Sequence, residues 1–254
     1  MSELHDRHDD VQTSVRAMEI DRGLRRYMLG VYNKVALGLL VAGAVAYATS
    51  SVPWLRDLLF KTATQGAGPP RIGLTLAGSL IAFAPVLVLL LFAGPVLSKP
   101  SAARSGALYW SVVALVGASL GMLFLTFTGA SIAVTLAVSA LGFAGLSLLG
   151  YTTQKDLSGL RGFLVMGLIG LVLSLAANLV LGSPVIEYVT GVVGVLIFAG
   201  LIAYDGQRLK LSYHQLKDDG ASMAVASDLG ALSLFINFVN LFQFLLMAVS
   251  GQRR

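Results

Sequence analysis

The chain has 254 residues, 56% of them hydrophobic and only 12% charged, with a formal net charge of +5 and no cysteine. A soluble domain carries roughly a quarter charged residues, so this composition excludes an ordinary soluble fold. The missing cysteine excludes disulfides, thiolate metal sites and cysteine catalysis.

In chain order, residues 1–34 form a hydrophilic tail in which acidic, basic and polar side chains alternate. A secretory signal would turn apolar after a short basic stretch, so the tail reads as a solvated leader. Residues 35–252 then form a transmembrane domain built from apolar runs. The first two runs are Val35 to Leu55 and Ile72 to Ser98. Between Ser105 and Gln154 no side chain is charged, and such a run would make a helix of about 75 Å, more than twice the ~30 Å hydrocarbon core. It therefore folds back as two spans, with the break at Thr128-Gly129. Gly162 to Leu181, Val185 to Tyr204 and Leu229 to Gln252 complete the set, with a tight hairpin at Ser183-Pro184. The result is an all-α integral membrane protein with seven transmembrane helices.

Small residues let helices approach closely in lipid. Gly117 with Gly121, Gly142 with Gly145, Gly167 with Gly170 and Gly191 with Gly194 are the candidate contact pairs. The three histidines, His5, His8 and His214, lie outside the apolar runs, which leaves no HExxH helix and no histidine metal site in hydrocarbon. The basic excess is dispersed over membrane-flanking segments and builds no stripe for nucleic acid.

Lysine and arginine favour the cytoplasmic side of a membrane. Seven spans place Arg7, Arg16, Arg22, Arg25, Arg26, Lys34, Lys99, Arg104, Lys155, Arg161, Arg208, Lys210 and Lys217 on the N-terminal side, against Arg56, Lys61, Arg71, Arg253 and Arg254 opposite. The N-terminus is therefore expected in the cytoplasm and the C-terminus outside.

An ionisable residue in hydrocarbon costs at least ~2.5 kcal/mol by insertion scales, and so marks function. Two candidates stand in the apolar runs, Glu187 and Asp205. Glu187 suits the N-terminus of the sixth span, where a carboxylate meets the helix dipole. Asp205 lies about 10 Å below the end of that span if the helix continues to about Leu211, and Asn237 lies about 12 Å into the seventh, so the two should meet. Ser233, Asn237, Asn240 and Gln243 follow at helical spacing and make one polar stripe. The stripe also reads as interhelical hydrogen bonding, and Asp205 as an ion pair with Arg208.

Three segments resemble the Bax inhibitor-one family of membrane proteins: Gly145 to Leu164 (GLSLLGYTTQKDLSGLRGFL), Phe198 to Lys210 (FAGLIAYDGQRLK) and Ala231 to Phe242 (ALSLFINFVNLF). The resemblance implies a seventh helix central in a bundle of the other six, and a pH-sensitive calcium leak controlled by aspartates on the sixth and seventh helices. It makes Asp205 and Asn237 the ion-pathway or pH-sensing residues and Asp205 a calcium contact, with Tyr204, Arg208, Ser233 and Asn240 in support. It further implies a bacterial inner-membrane location and, as the other reading, a non-conducting partner of a membrane-bound AAA protease. Two positions depart from the family pattern: the usual Tyr-Asp-Thr-Gln is Tyr204-Asp205-Gly206-Gln207, and the seventh-helix aspartate is Asn237.

Enzymatic alternatives fail on their residues. An intramembrane aspartyl protease needs a second carboxylate in a Gly-x-Gly-Asp, a serine protease of the membrane needs an embedded histidine, and a retinal protein needs a lysine in the last helix. None of these is present. The chain therefore reads as non-enzymatic and without a cofactor, calcium entering only as a transported ion.

Overall fold

The computed structural model describes residues 2–63 and 71–251, with side chains described for 22–62 and 72–249. Its helices are α1 (Ser2–Ser51), α2 (Pro53–Leu59), α3 (Leu76–Ser98), α4 (Ala102–Thr126), α5 (Gly129–Thr152), α6 (Leu160–Leu181), α7 (Pro184–Leu216) and α8 (Gly220–Gly251). Two short strands, β1 (Phe60–Ala63) and β2 (Arg71–Leu74), lie between α2 and α3. Seven of the described helices are long and apolar enough to cross a membrane, the short α2 being the exception.

The first two connections differ from the expected boundaries. The end expected at Leu55 moves back to Ser51, because the residue before a proline is pushed out of the helical region and Val52 is extended at φ −81 and ψ 116. Pro53 then opens α2 at its first position, where a missing N–H costs nothing. The second span starts at Leu76 and not at Ile72, since residues 71–74 pair antiparallel with 60–63 in the register Phe60 to Leu74. Thr75 makes the transition: its hydroxyl accepts from Gly78 N at 3.0 Å and donates to Leu58 O at 2.5 Å.

The remaining breaks follow local chemistry. Thr128 caps α5 by accepting from Ser131 N at 3.2 Å. Gly182 ends α6 in the left-handed conformation at φ 59, and Ser183 with Pro184 starts α7 at once. Asp219 caps α8, its carboxylate accepting from the backbone of Ala221 and Ser222 at 3.1 Å each and from the Ser222 hydroxyl at 2.6 Å. Those donors hold the Asp219 carboxyl below its ordinary range. Both α7 and α8 outrun the apolar runs that signal them, past Leu211 at one end and ahead of Leu229 at the other.

Helix α8 occupies the centre, with its main contacts to α1, α4, α5 and α7. Helices α3 and α6 form an outer tier against α4 and α7 and expose leucines such as Leu90 and Leu179, as helices facing lipid do. Residues 22–34, expected to be solvated, are turns of α1 whose Leu24, Met28 and Val31 enter the main core beside Val35. The side chains of His5 and His8 lie outside the described residues.

Only some glycine pairs mark close contacts. A Cβ on Gly117 would fall 2.8 Å from the Ala42 backbone of α1, and one on Gly121 would fall 3.1 Å from Ala46 O. Gly191 faces Ala248 and Gly194 faces Phe244, while Gly167 meets the Ile197 side chain. Gly142, Gly145 and Gly170 face open space, so the pairing expected of them is corrected: spacing identifies a small-residue stripe but not the side of the helix that meets a neighbour. Gly117→Ala should therefore lower stability by about 1–3 kcal/mol through overpacking. Gly142→Ala should be neutral or raise it by up to about 1 kcal/mol through helix propensity, as read from thermal unfolding in one detergent.

Candidate functional site

Helices α7 and α8 pack along most of their length, and near the basic end of the bundle their seam holds a carboxylate. Asp205 is 6% exposed, and its Oδ2 accepts from the Ser233 hydroxyl at 2.5 Å and from Asn237 Nδ2 at 2.8 Å. Ser233 and Asn237 are one turn apart on α8, so one helix face supplies both donors. The structure brings together Asp205, Asn237 and Ser233. Asn240 turns away, donating to Ile236 O at 2.8 Å on its own helix, and Gln243 is exposed. Tyr204 is half-buried against the core. Arg208 is exposed and makes no close ion pair with Asp205 among the described residues, but its charge still acts on that carboxylate, so the pairing at i+3 is electrostatic and not a direct contact. Glu187 lies in the first turn of α7, where the dipole reading puts it.

A cleft of about 260 Å³ opens at the basic end and reaches this group. Its walls are Arg208, Leu209, Ser212 and Leu216 of α7, Ser222, Val225, Ala226, Leu229 and Gly230 of α8, and Leu97 with Pro100 at the α3–α4 turn. Asp205 and Ser233 line its inner end, about 16 Å along α7 from Leu216. Beyond them the seam is filled. Phe198 stacks on Phe244 with ring centroids 5.5 Å apart, and Gly191 lies against Ala248. The cleft reaches Asp205 from one end, and the seam is closed toward the other.

Two features hold α7 in place there. Gly206, where the family pattern has threonine, sits so close to α5 that a Cβ would lie 3.1 Å from Ser147 O, and Gly150 of α5 abuts Ala203 in turn. Gln207 clamps the α5–α6 connection, its amide donating to Lys155 O at 2.7 Å and accepting from Leu157 N at 2.8 Å. The same connection is shaped by Asp156, which accepts from Ser158 N at 2.8 Å and from the Ser158 hydroxyl at 2.7 Å, donors that keep its carboxyl below the usual range.

Asp205 is not the lone deep charge. Asp228, 3% exposed, pairs with Lys34 of α1 and accepts from the Ser105 hydroxyl of α4 at 2.5 Å, while the Tyr109 hydroxyl donates to Lys34 O at 2.6 Å. The expectation of two candidates, Glu187 and Asp205, missed it because Lys34 is counted with the tail and Asp228 precedes Leu229. The signal was present: Val225, Leu229 and Leu232 continue the α8 spacing upstream, as Leu24, Met28, Val31 and Val35 do for α1. The two carboxylates differ in kind. Asp228 has a direct ion pair, whereas Asp205 is hydrogen-bonded by neutral donors alone and shares the cleft with the Arg208 guanidinium, which acts on it from the wall.

No group of three or more histidine, aspartate or glutamate side chains occurs among the described residues, so Asp205 is not part of a dedicated cage. Ser233 and Asn237 both act here as hydrogen-bond donors to the carboxylate, the asparagine presenting its Nδ2 and not its amide oxygen. Lys34→Ala should cost about 3 kcal/mol by leaving Asp228 uncompensated, and Lys34→Met with Asp228→Leu should cost less than either single change. Thermal unfolding of the native protein, Lys34→Ala, Lys34→Met, Asp228→Leu and the double variant checks it.

The family profile described as inhibitor of apoptosis-promoting Bax1 matches residues 24–254. A protein of Caulobacter vibrioides is 56% identical over 236 residues, 93% of this chain and 92% of that one. Inner membrane protein YbhL of Escherichia coli is 36% identical over 233 residues, 91% of this chain and 94% of its own. With the central α8, the seven spans and the matched residues, this chain belongs to the Bax inhibitor-1 family of membrane proteins.

Proposed function

We propose that the protein is a cation leak of the bacterial inner membrane, with calcium as its ion and Asp205 as the group the ion meets. The observation that supports this is the contrast between the two buried carboxylates: Asp228 is paired directly with Lys34, whereas Asp205 is hydrogen-bonded only by neutral donors and ends an open cleft, the exposed Arg208 standing on the cleft wall without a direct ion pair to it. A group held this way attracts a cation, and a cation there would be released readily because a single charge binds it. In this reading the protein acts without catalysis, and conduction requires the α7–α8 seam beyond Asp205 to part.

The reading also assigns a role to Asn237. With one carboxylate, flux should respond weakly to pH. Asn237→Asp places two acids on one site, where both cannot be charged cheaply, and flux should then become steeply pH-dependent. Asp205→Asn should reduce calcium flux in proteoliposomes about tenfold or more, the factor that about 1.4 kcal/mol of lost interaction corresponds to. Equal flux in native protein and Asp205→Asn, both folded, sinks the assignment. No flux from the native protein at any pH favours a non-conducting regulator of a membrane-bound AAA protease.

The basic end, which carries the mouth of the cleft, is assigned to the cytoplasm by its excess of lysine and arginine. Because the chain has no cysteine, single ones report cleanly. An impermeant maleimide added outside intact cells should label Ala130→Cys at the α4–α5 turn and spare Asp218→Cys at the α7–α8 turn; the reverse pattern would invert the orientation.

A further inference from the structure

Helices α1 and α5 stand side by side at the periphery but barely touch, and the gap between them is a lipid-facing groove floored by α8. Its part nearer the basic end has about 500 Å³ between Arg25 and Tyr32 of α1 and Phe143, Ala144 and Tyr151 of α5. The deeper part has about 490 Å³ over Phe238, Val239 and Phe242 of α8. Together they follow α1 from Arg25 to Ala46, about 31 Å, the thickness of the hydrocarbon core.

We propose that this groove is a phospholipid site: an acyl chain lies between α1 and α5 on the floor of α8, and an anionic head group meets Arg25. The lining is apolar along its length and turns basic at one end, which is the charge pattern of a phospholipid in reverse. Lys210 adds a second cation at that end, donating to Tyr151 O at 3.3 Å with its ammonium 5.9 Å from the Tyr151 ring centroid. Phe143 and Tyr32 stand where the two parts adjoin, the Phe143 ring edge-on to Tyr32 at 6.4 Å and to Phe238 at 5.5 Å.

The test is native mass spectrometry of the full chain extracted in mild detergent from bilayers of equal phosphatidylglycerol and phosphatidylcholine. The expected result is one phosphatidylglycerol retained per chain. Ala144→Trp, which fills the groove from an exposed position, should reduce retention at least about tenfold, and Leu179→Trp, the same bulk on the 88% exposed outer face of α6, should leave it unchanged. Arg25→Ala should keep a bound lipid while losing about fivefold of the preference for phosphatidylglycerol, the share one arginine contributes at an anionic surface. Equal retention of the two lipids by the native chain overturns the proposal, as does full retention in Ala144→Trp. A dimer mass abolished by Ala144→Trp would give the groove to a second copy and overturn it too. If Ala144→Trp fails to fold, Arg25→Ala decides: an unchanged lipid preference refutes the head-group contact.

Discussion

A carboxylate inside a membrane bundle has to be solvated by protein, and Asp205 takes both of its donors, Ser233 and Asn237, from one face of α8. That requirement fixes much of the architecture. The helix bearing the donors has to be central, because a serine and an asparagine turned toward lipid would lose their partners. The helix bearing the acid has to lie directly along it, and α7 is brought there by glycines that let it close on α5 and α8 at once: Gly206 against Ser147, Gly194 against Phe244 and Gly191 against Ala248. Placing the polar seam in the interior leaves the leucine-rich α3 and α6 to face the bilayer.

The two buried acids divide structural from functional electrostatics. Asp228 gathers α1, α4 and α8 through Lys34 and Ser105, and Tyr109 braces the lysine's own carbonyl. Such a fully partnered charge serves as a fixed joint, and removing one member harms more than replacing the pair. Asp205 has no direct ion pair among the described residues and faces an opening whose wall carries Arg208. The same bundle thus holds a carboxylate fixed by a direct ion pair and another that is hydrogen-bonded by neutral donors at the end of a cleft.

The cleft at the basic end and the groove between α1 and α5 meet the surroundings differently. The first has a mixed lining that includes Asp205, Arg208 and three serines; the second is apolar and extends over a length like that of the hydrocarbon core. Both back onto α8, the cleft at Ser233 and the groove at Phe238 and Val239, on different faces of one helix. A lipid in the groove would press on the helix whose donors hold Asp205.

Composition and hydropathy determined the membrane class, seven spans, most of their boundaries and the placement of Asp205 opposite Asn237, because burial of backbone in lipid forces long apolar helices and their order fixes which ends adjoin. The motifs around Tyr204-Asp205 and Ile236-Asn237 identified the family from the chain alone. Tertiary structure decided what is set by helix rotation and by contacts between distant segments. It separated Gly117 and Gly121, which touch α1, from Gly142 and Gly145, which touch nothing, and it turned Asn240 onto its own backbone while Asn237 faced Asp205. It joined Lys34 to Asp228 across most of the chain's length, and paired residues 60–63 with 71–74 in a hairpin without an apolar signature. Local pattern constrains which residues are helical; which face meets which neighbour is settled only when all the helices pack together.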